Sequence, residues 1–243
     1  MVRKAIIIGS PGSKESYNYL KGVDADLHHL ASFLKSPIGG SWDDKEIATL
    51  NKCTTEKLID IFQNFKCDYI LVYFSGHGYH GLHETMIAIN DKETISVSKL
   101  ISLIQASKGL IIIDACRNKM DEAYSNFSGQ EFLSFNSTCN QPDSSDRFKK
   151  IISDCDEGIS IVYSCSVGEI SNETELGGIY TYSLLKTTLD WYYNQKNEST
   201  LEINRANNLS YQFIKNHSEF EQTPQIRNKG NSNQNLNFPF AIR

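Results

Sequence analysis

The chain is expected to form an α/β fold, a mostly parallel sheet with helices packed on both of its faces. Three observations predict it. Continuous apolar runs of strand length recur at 5–9, 68–75 and 109–114, as they do in strands buried on both sides. Segments with helical spacing of apolar residues separate them. The two patterns alternate along the first half of the chain, as strand–helix–strand crossovers do.

Taken in order, residues 5–9 form a buried strand that ends in the turn sequence Gly9-Ser10-Pro11-Gly12. Residues 24–34 place Leu27, Leu30, Ala31 and Leu34 at helical spacing, and Pro37 stops that helix. A short strand at 46–50 follows. Thr54 or Thr55 then caps a helix whose apolar face carries Leu58, Ile61, Phe62 and Phe65. Next come the long buried strand at 68–75, part of a small hairpin at 83–90, a helix at 96–105 and the buried strand at 109–114. From 119 to 150 the sequence dissolves into Asn, Ser, Asp, Gln and Gly, and a long mobile loop is expected. A strand at 159–165, helices near 181–193 and 203–215, a polar tail at 227–237 and a last strand at 238–242 complete the reading. One domain over 1–243, interrupted by one loop, is the expectation.

Composition narrows the function classes. Hydrophobic residues make up 40% and charged residues 22%, the balance of a soluble globular protein. A net charge of −5 argues against a nucleic-acid partner, because neutralising phosphates takes a basic surface. No stretch approaches the roughly 20 apolar residues of a membrane span, and the first apolar run is too short for a signal-peptide core. A cytoplasmic location without a membrane partner is expected. The six cysteines, at 53, 67, 116, 139, 155 and 165, include no Cys-x-x-Cys pair, so neither a disulfide framework nor a structural zinc site is expected.

Two of the long strands end in chemically capable residues. One runs Tyr73-Phe74-Ser75-Gly76-His77-Gly78, the other Ile113-Asp114-Ala115-Cys116-Arg117. Sites form at the carboxyl ends of strands in open parallel sheets, so His77 and Cys116 are expected at one edge. An imidazole promotes formation of the thiolate and later protonates the leaving amine. The glycines around His77 leave room for a substrate backbone, and the amides of Gly78 and Cys116 are the candidate oxyanion hole. Taken singly, Cys116 reads as a small core residue and His77 as a turn residue. Their pairing at the ends of neighbouring strands carries the catalytic reading. His77, His80 and His83 recur at three-residue spacing, but in a glycine-containing turn without further ligands, so no metal is expected. Phosphate-loop spacing and a Gly-x-Ser-x-Gly elbow are both absent, and no cofactor is expected.

These two segments resemble the histidine and cysteine motifs of the caspase and metacaspase superfamily. The caspase signature is Gln-Ala-Cys-[Arg/Gln/Gly]-Gly with its His about 50 residues upstream. Here His77 lies 39 residues upstream, Asp114 replaces the Gln and Asn118 replaces the Gly. The likeness extends to Leu20-Lys21-Gly22 with Asp26, Leu30 and Phe33-Leu34, to Tyr163-Ser164 with Gly177-Gly178-Ile179-Tyr180-Thr181, and to Gln222-Thr223-Pro224-Gln225. The resemblance implies a three-layer α/β/α sandwich with a sheet of about six strands, and peptide hydrolysis through a thioester. It also implies protein substrates, an activating protein partner, and roles in cell death, stress responses or bacterial antiviral defence.

The departures bear on specificity. Residues two apart on a strand point the same way, so Asp114 and Cys116 are expected on one side of the sheet. By the family pattern Asp26 faces the same pocket. Two carboxylates in a narrow pocket repel unless a cation arrives, and a guanidinium can bridge them. Cleavage after Arg, and less well after Lys, is therefore expected, as in metacaspases. Ser164 is placed in the pocket wall by resemblance alone. The plain alternatives are that Asp114 caps the following turn and that Asp26, two residues from Asp24, is an exposed helical acid. The 119–150 loop falls where caspases carry a cleavable linker and contains Lys119, Arg147, Lys149 and Lys150, so self-cleavage there is a hypothesis. Asp91, Glu93, Asp154 and Asp156 show no calcium-ligand spacing. The rival readings are a catalytically silent scaffold that binds partners and an acyl transferase on the same fold.

Overall fold

A computed structural model of the chain describes residues 1–118, 133, 143–195, 197–217, 221–230 and 235–243. In chain order, strand β1 (Arg3–Ser10) leads to helix α1 (Val23–Lys35), β2 (Ile47–Asn51), α2 (Thr55–Asn64) and β3 (Tyr69–Gly76). A small antiparallel sheet follows, built from β4 (Gly78–His80), β5 (Thr85–Ala88) and β6 (Thr94–Ser96). Helix α3 (Val97–Ser102), β7 (Lys108–Asp114), α4 (Ser145–Asp154) and β8 (Gly158–Tyr163) come next. The tight hairpin of β9 (Glu173–Thr174) and β10 (Gly177–Gly178) opens α5 (Ile179–Asn194). The chain closes with β11 (Thr200–Glu202), α6 (Ile203–His217), β12 (Gln225–Lys229) and β13 (Pro239–Ile242).

The central sheet has six strands in the order β12-β8-β7-β3-β1-β2, parallel except for β12. This is the predicted α/β sandwich. Its strands read as unbroken apolar runs because both faces are covered. Ala5, Ile7, Leu71, Tyr73, Leu110 and Ile112 pack toward α1, α4, α5 and α6. Ile6, Ile8, Val72, Phe74, Ile111 and Ile113 pack toward α2 and α3 on the other side. Ile6, Ile7 and Ile8 are all fully buried. Each contributes roughly 1.5–3 kcal/mol by leaving water. Among the described residues no helix is long and apolar enough to cross a membrane.

Two expectations need correction. Most of the expected 119–150 loop lies outside the described residues, but residues 145–150 begin α4. Phe148 and Ile152, four apart, give that helix its buried stripe, and a stripe so short is lost beside the polar tract. The expected polar tail at 227–237 also begins inside a strand. β12 pairs antiparallel with β8 and closes the sheet, while the apolar β13 pairs with β11 outside it. An edge strand with most of its side chains in water needs few apolar residues, and β12 has only Ile226, so hydropathy does not announce it.

Candidate active site

Parallel pairing brings four strand ends level. Ser10 stands beside Gly76, Ser75 beside Asp114, and Ile113 beside Tyr163. The loops leaving β1, β3, β7 and β8 therefore meet at one edge, where the site lies.

His77 follows β3 directly, and its own amide donates to the carbonyl of Ser10 at 3.4 Å. Burial holds its imidazole below the usual histidine range, partly offset by the Pro11 and Asn18 carbonyls against the ring. Gly12 makes this seat possible: its φ is +84°, and a β-carbon there would stand 2.9 Å from His77 Nε2. Gly78 packs against the cysteine loop, since a β-carbon on it would lie 2.8 Å from Ala115 Cβ and 2.9 Å from the Cys116 carbonyl oxygen. Gly78, the residue after His77, thus touches the Cys116 loop, while the His77 side chain is seated against Gly12 and is not among the residues that line the cleft at the thiol.

Cys116 is only 3% exposed. Its thiol donates to the Ser171 carbonyl, with Sγ 3.6 Å from the oxygen. Burial, with Asp114 and Glu173 nearby, pushes the thiol up to about 12, so it is protonated in this arrangement. Arg117 anchors the loop from behind. Its buried guanidinium lies 4.0 Å over the Tyr163 ring and donates to Thr85 Oγ1 and the Cys165 carbonyl, each at 3.0 Å.

Beside Cys116 a narrow cleft of ≈ 20 Å³ is lined by Asp26, Ser75, Asp114, Ser171, Glu173 and Gly178, among others. Asp26 enters it from α1 and is 2% exposed, whereas Asp24 lies on the outer side and accepts from Asn51 Nδ2. Asp26 accepts from Ser75 Oγ at 2.7 Å and from the Gly178 amide at 2.9 Å. Asp114 takes Ser171 Oγ at 2.6 Å on one oxygen, and the Thr181 amide and hydroxyl at 3.1 and 2.6 Å on the other. Both acids thus rest at the amino-terminal end of α5, where its unpaired amides favour negative charge. The backbone comes this close because residue 178 is glycine: a β-carbon there would stand 2.5 Å from Asp114 Oδ2.

These donors do not offset desolvation. Burial raises both acids, and for Asp26 the neighbouring Asp114 charge raises it further. Glu173 lines the same cleft from β9, and burial and Asp114 push it up to about 7 against the lowering effect of the Gly22 amide. Among the described residues no Lys or Arg forms an ion pair with any of the three. Three acids thus converge beside the thiol, and of them only Glu173 is lowered by a nearby cation, Lys21, among the described residues.

Ser164 sits elsewhere than the pocket surface. It is fully buried beneath it, where Oγ accepts from the Ala115 amide at 3.2 Å and helps to hold Asp114. No group of three or more His, Cys, Asp or Glu among the described residues is placed to hold a metal ion. Glu173 and Ser171 are the site residues that sequence reasoning missed. A usable signal for Glu173 was the turn in Glu173-Thr174-Glu175-Leu176-Gly177-Gly178, a hairpin that sets Glu173 opposite Gly178.

A helix-covered parallel sheet with a thiol and an imidazole on its carboxyl-edge loops describes a class of α/β scaffold found among cysteine hydrolases. The sequence itself narrows the class. A family model for the caspase domain matches residues 2–235, and the chain belongs to that family of cysteine peptidases. Among solved structures it is similar to the crystal structure of caspase-1 from Spodoptera frugiperda, with a TM-score of 0.59 and 16% identity. That match covers 93% of this chain and 86% of the other. No curated protein matches the sequence.

Proposed function

We propose that this caspase-family chain is an endopeptidase that cuts after Arg, and less well after Lys, with Cys116 as nucleophile and His77 as its acid–base partner. The observation that carries the reading is the convergence of Asp26, Asp114 and Glu173 beside Cys116, none of them in an ion pair with a Lys or Arg among the described residues. A substrate guanidinium would relieve their repulsion and pair with carboxylates in the planar geometry that Arg offers and Lys lacks. In the reaction Cys116 gives its proton to His77 and attacks the carbonyl carbon of the Arg residue. His77 then protonates the leaving amine, and water releases the acyl group from sulfur. The amides of Gly78 and Cys116 are the proposed oxyanion donors. The test is release of a fluorophore from peptides ending in Arg, Lys or Asp. Turnover in the order Arg, Lys, with Asp inert, is expected; preference for Asp would overturn the acidic-pocket assignment.

Buried Cys116 favours a second reading, a catalytically silent scaffold, and labelling of Cys116 by a thiol-reactive arginyl ketone separates the two. In the proposed enzyme the setting is cytoplasmic, the substrate is a protein, and a protein partner switches the effector on in cell death or antiviral defence.

Two further results are expected. Glu173 is raised to about 7, so it gains its charge as pH rises through that value. KM for arginyl peptides should fall several-fold between pH 6 and 8, and Glu173→Gln should flatten that dependence. Stability moves the opposite way. A carboxyl whose folded-state value lies above its ordinary 4.5 stabilises the fold most below that value, and the contribution is lost as pH rises through about 7. A bound guanidinium should therefore raise Tm more at pH 8 than at pH 6. The second result concerns the His77 seat. Gly12→Val forces a β-branched side chain against the ring, and kcat/KM should fall by about 100-fold, as misplacing a catalytic group by about 1 Å does. Tm should fall by only a few degrees, since the strain of one residue at positive φ costs about 1–2 kcal/mol.

A further inference from the structure

Ser171 is joined to two functional groups at once. Its hydroxyl donates to Asp114 Oδ1 at 2.6 Å, and its carbonyl accepts the Cys116 thiol at 3.6 Å. One residue therefore links the pocket acid to the sulfur that has to attack. Gln222 steadies the link: its Nε2 donates to Ser171 Oγ at 3.2 Å and to the Ser164 carbonyl at 3.1 Å, and its Oε1 accepts the Asn172 amide at 3.1 Å. With the segment in this place Cys116 is 3% exposed and its thiol is engaged with the Ser171 carbonyl.

The two sides of Asp114 differ in how easily they can be vacated. Oδ2 is held by Thr181, in the first turn of α5, and Thr181 Oγ1 is itself fixed by Tyr73 OH at 2.6 Å. Oδ1 is held by Ser171, which lies in neither helix nor strand. A cation entering the cleft finds Oδ1 the exchangeable side. A guanidinium N–H makes a stronger bond to a carboxylate than a neutral hydroxyl does.

We propose that Ser171 is a specificity-determining positioning residue: it keeps the Cys116 thiol withdrawn until the cationic side chain of a substrate displaces its hydroxyl from Asp114. The displaced segment takes its carbonyl off the thiol, and Cys116 turns toward the substrate carbonyl and His77. Selection for Arg then acts twice, in binding to the acids and in freeing the nucleophile. A neutral side chain of the same shape can fill the cleft but does not release the sulfur. This rests on the cation-pocket reading above and adds the coupling between pocket and thiol.

The test uses the intact chain and two separate readouts. Agmatine, a guanidinium without a scissile carbonyl, is the probe, and N-butylurea is its uncharged control. Binding is read as a rise in Tm that Asp114→Asn removes. Coupling is read as the rate at which iodoacetamide alkylates Cys116, followed by peptide mapping so that other cysteines do not count. Agmatine should accelerate alkylation by about tenfold, the weight of one hydrogen bond of about 1.4 kcal/mol, and N-butylurea should not. Ser171→Ala should react fast without agmatine and gain nothing from it, while Ser171→Thr, which keeps the hydroxyl, should restore the agmatine response. In peptide assays Ser171→Ala should narrow the kcat advantage of Arg over citrulline and leave KM for Arg nearly unchanged. Agmatine that raises Tm without accelerating alkylation would overturn the coupling and leave the pocket reading standing. Agmatine that does not bind would overturn both, and the wild-type experiment decides this even if the variants fail to fold.

Discussion

Asp114→Asn is expected to lower kcat/KM for arginyl peptides by about 10²–10³-fold and to leave the fold intact or slightly more stable. The size follows from the site. Breaking one side of a buried ion pair costs about 3–5 kcal/mol, and the substrate guanidinium would be left with too little charge in a desolvated cleft. The sign on stability follows from the free protein. Asp114 is 5% exposed, raised by burial, and near a second buried acid, so removing its charge removes a cost of folding. An amide still accepts through its oxygen from Thr181. Asp26→Asn should act in the same direction, and the double variant should lose less than the sum, because both acids act on one guanidinium. Kinetics paired with thermal unfolding check both parts. A loss of activity matched by a large fall in Tm would instead mark Asp114 as structural.

Cys116→Ala and His77→Ala should each abolish turnover, by at least about 10⁴-fold, and combining them should cost little more than either alone. Residues that act as one unit are strongly non-additive, so the double variant is the informative one. Neither change should unfold the protein. Cys116 gives up one weak thiol bond to Ser171, and His77 sits on a loop between β3 and β4 rather than in the sheet. Independent, multiplying losses would argue that the two residues do not share a proton transfer.

Much of this architecture was legible in the residues. Strands β1, β3 and β7 announce themselves because a strand covered on both faces has to be apolar at every position, and Ile6-Ile7-Ile8 or Leu110-Ile111-Ile112-Ile113 has no other reading so readable. Strand direction then fixes the edge at which their polar ends meet, which is why His77, Cys116 and Asp114 stood out together. Asp26 was harder, since Asp24 lies on the same helix; the buried positions Val23, Leu27 and Leu30 put Asp26 on the inner face and Asp24 outside. Where packing does not write itself into hydropathy, the sequence was mute. β12 is an exposed edge strand, and Glu173 and Ser171 reach the site through a hairpin and a loop whose path depends on Gln222, some fifty positions further on. Ser164 was placed in the pocket wall, yet it lies beneath the pocket, a distinction that one strand's alternation does not make.

The most direct test of the central claim, a nucleophilic Cys116 beside a pocket for a cation, is covalent capture. The protein would be incubated with chloromethyl ketones of arginine and aspartate, and the modified residue mapped by mass spectrometry. The arginyl ketone should label Cys116 stoichiometrically, the aspartyl ketone should leave it unmodified, and Asp114→Asn should suppress the arginyl labelling. Labelling by the aspartyl reagent in preference, or arginyl labelling confined to other cysteines, would contradict the account.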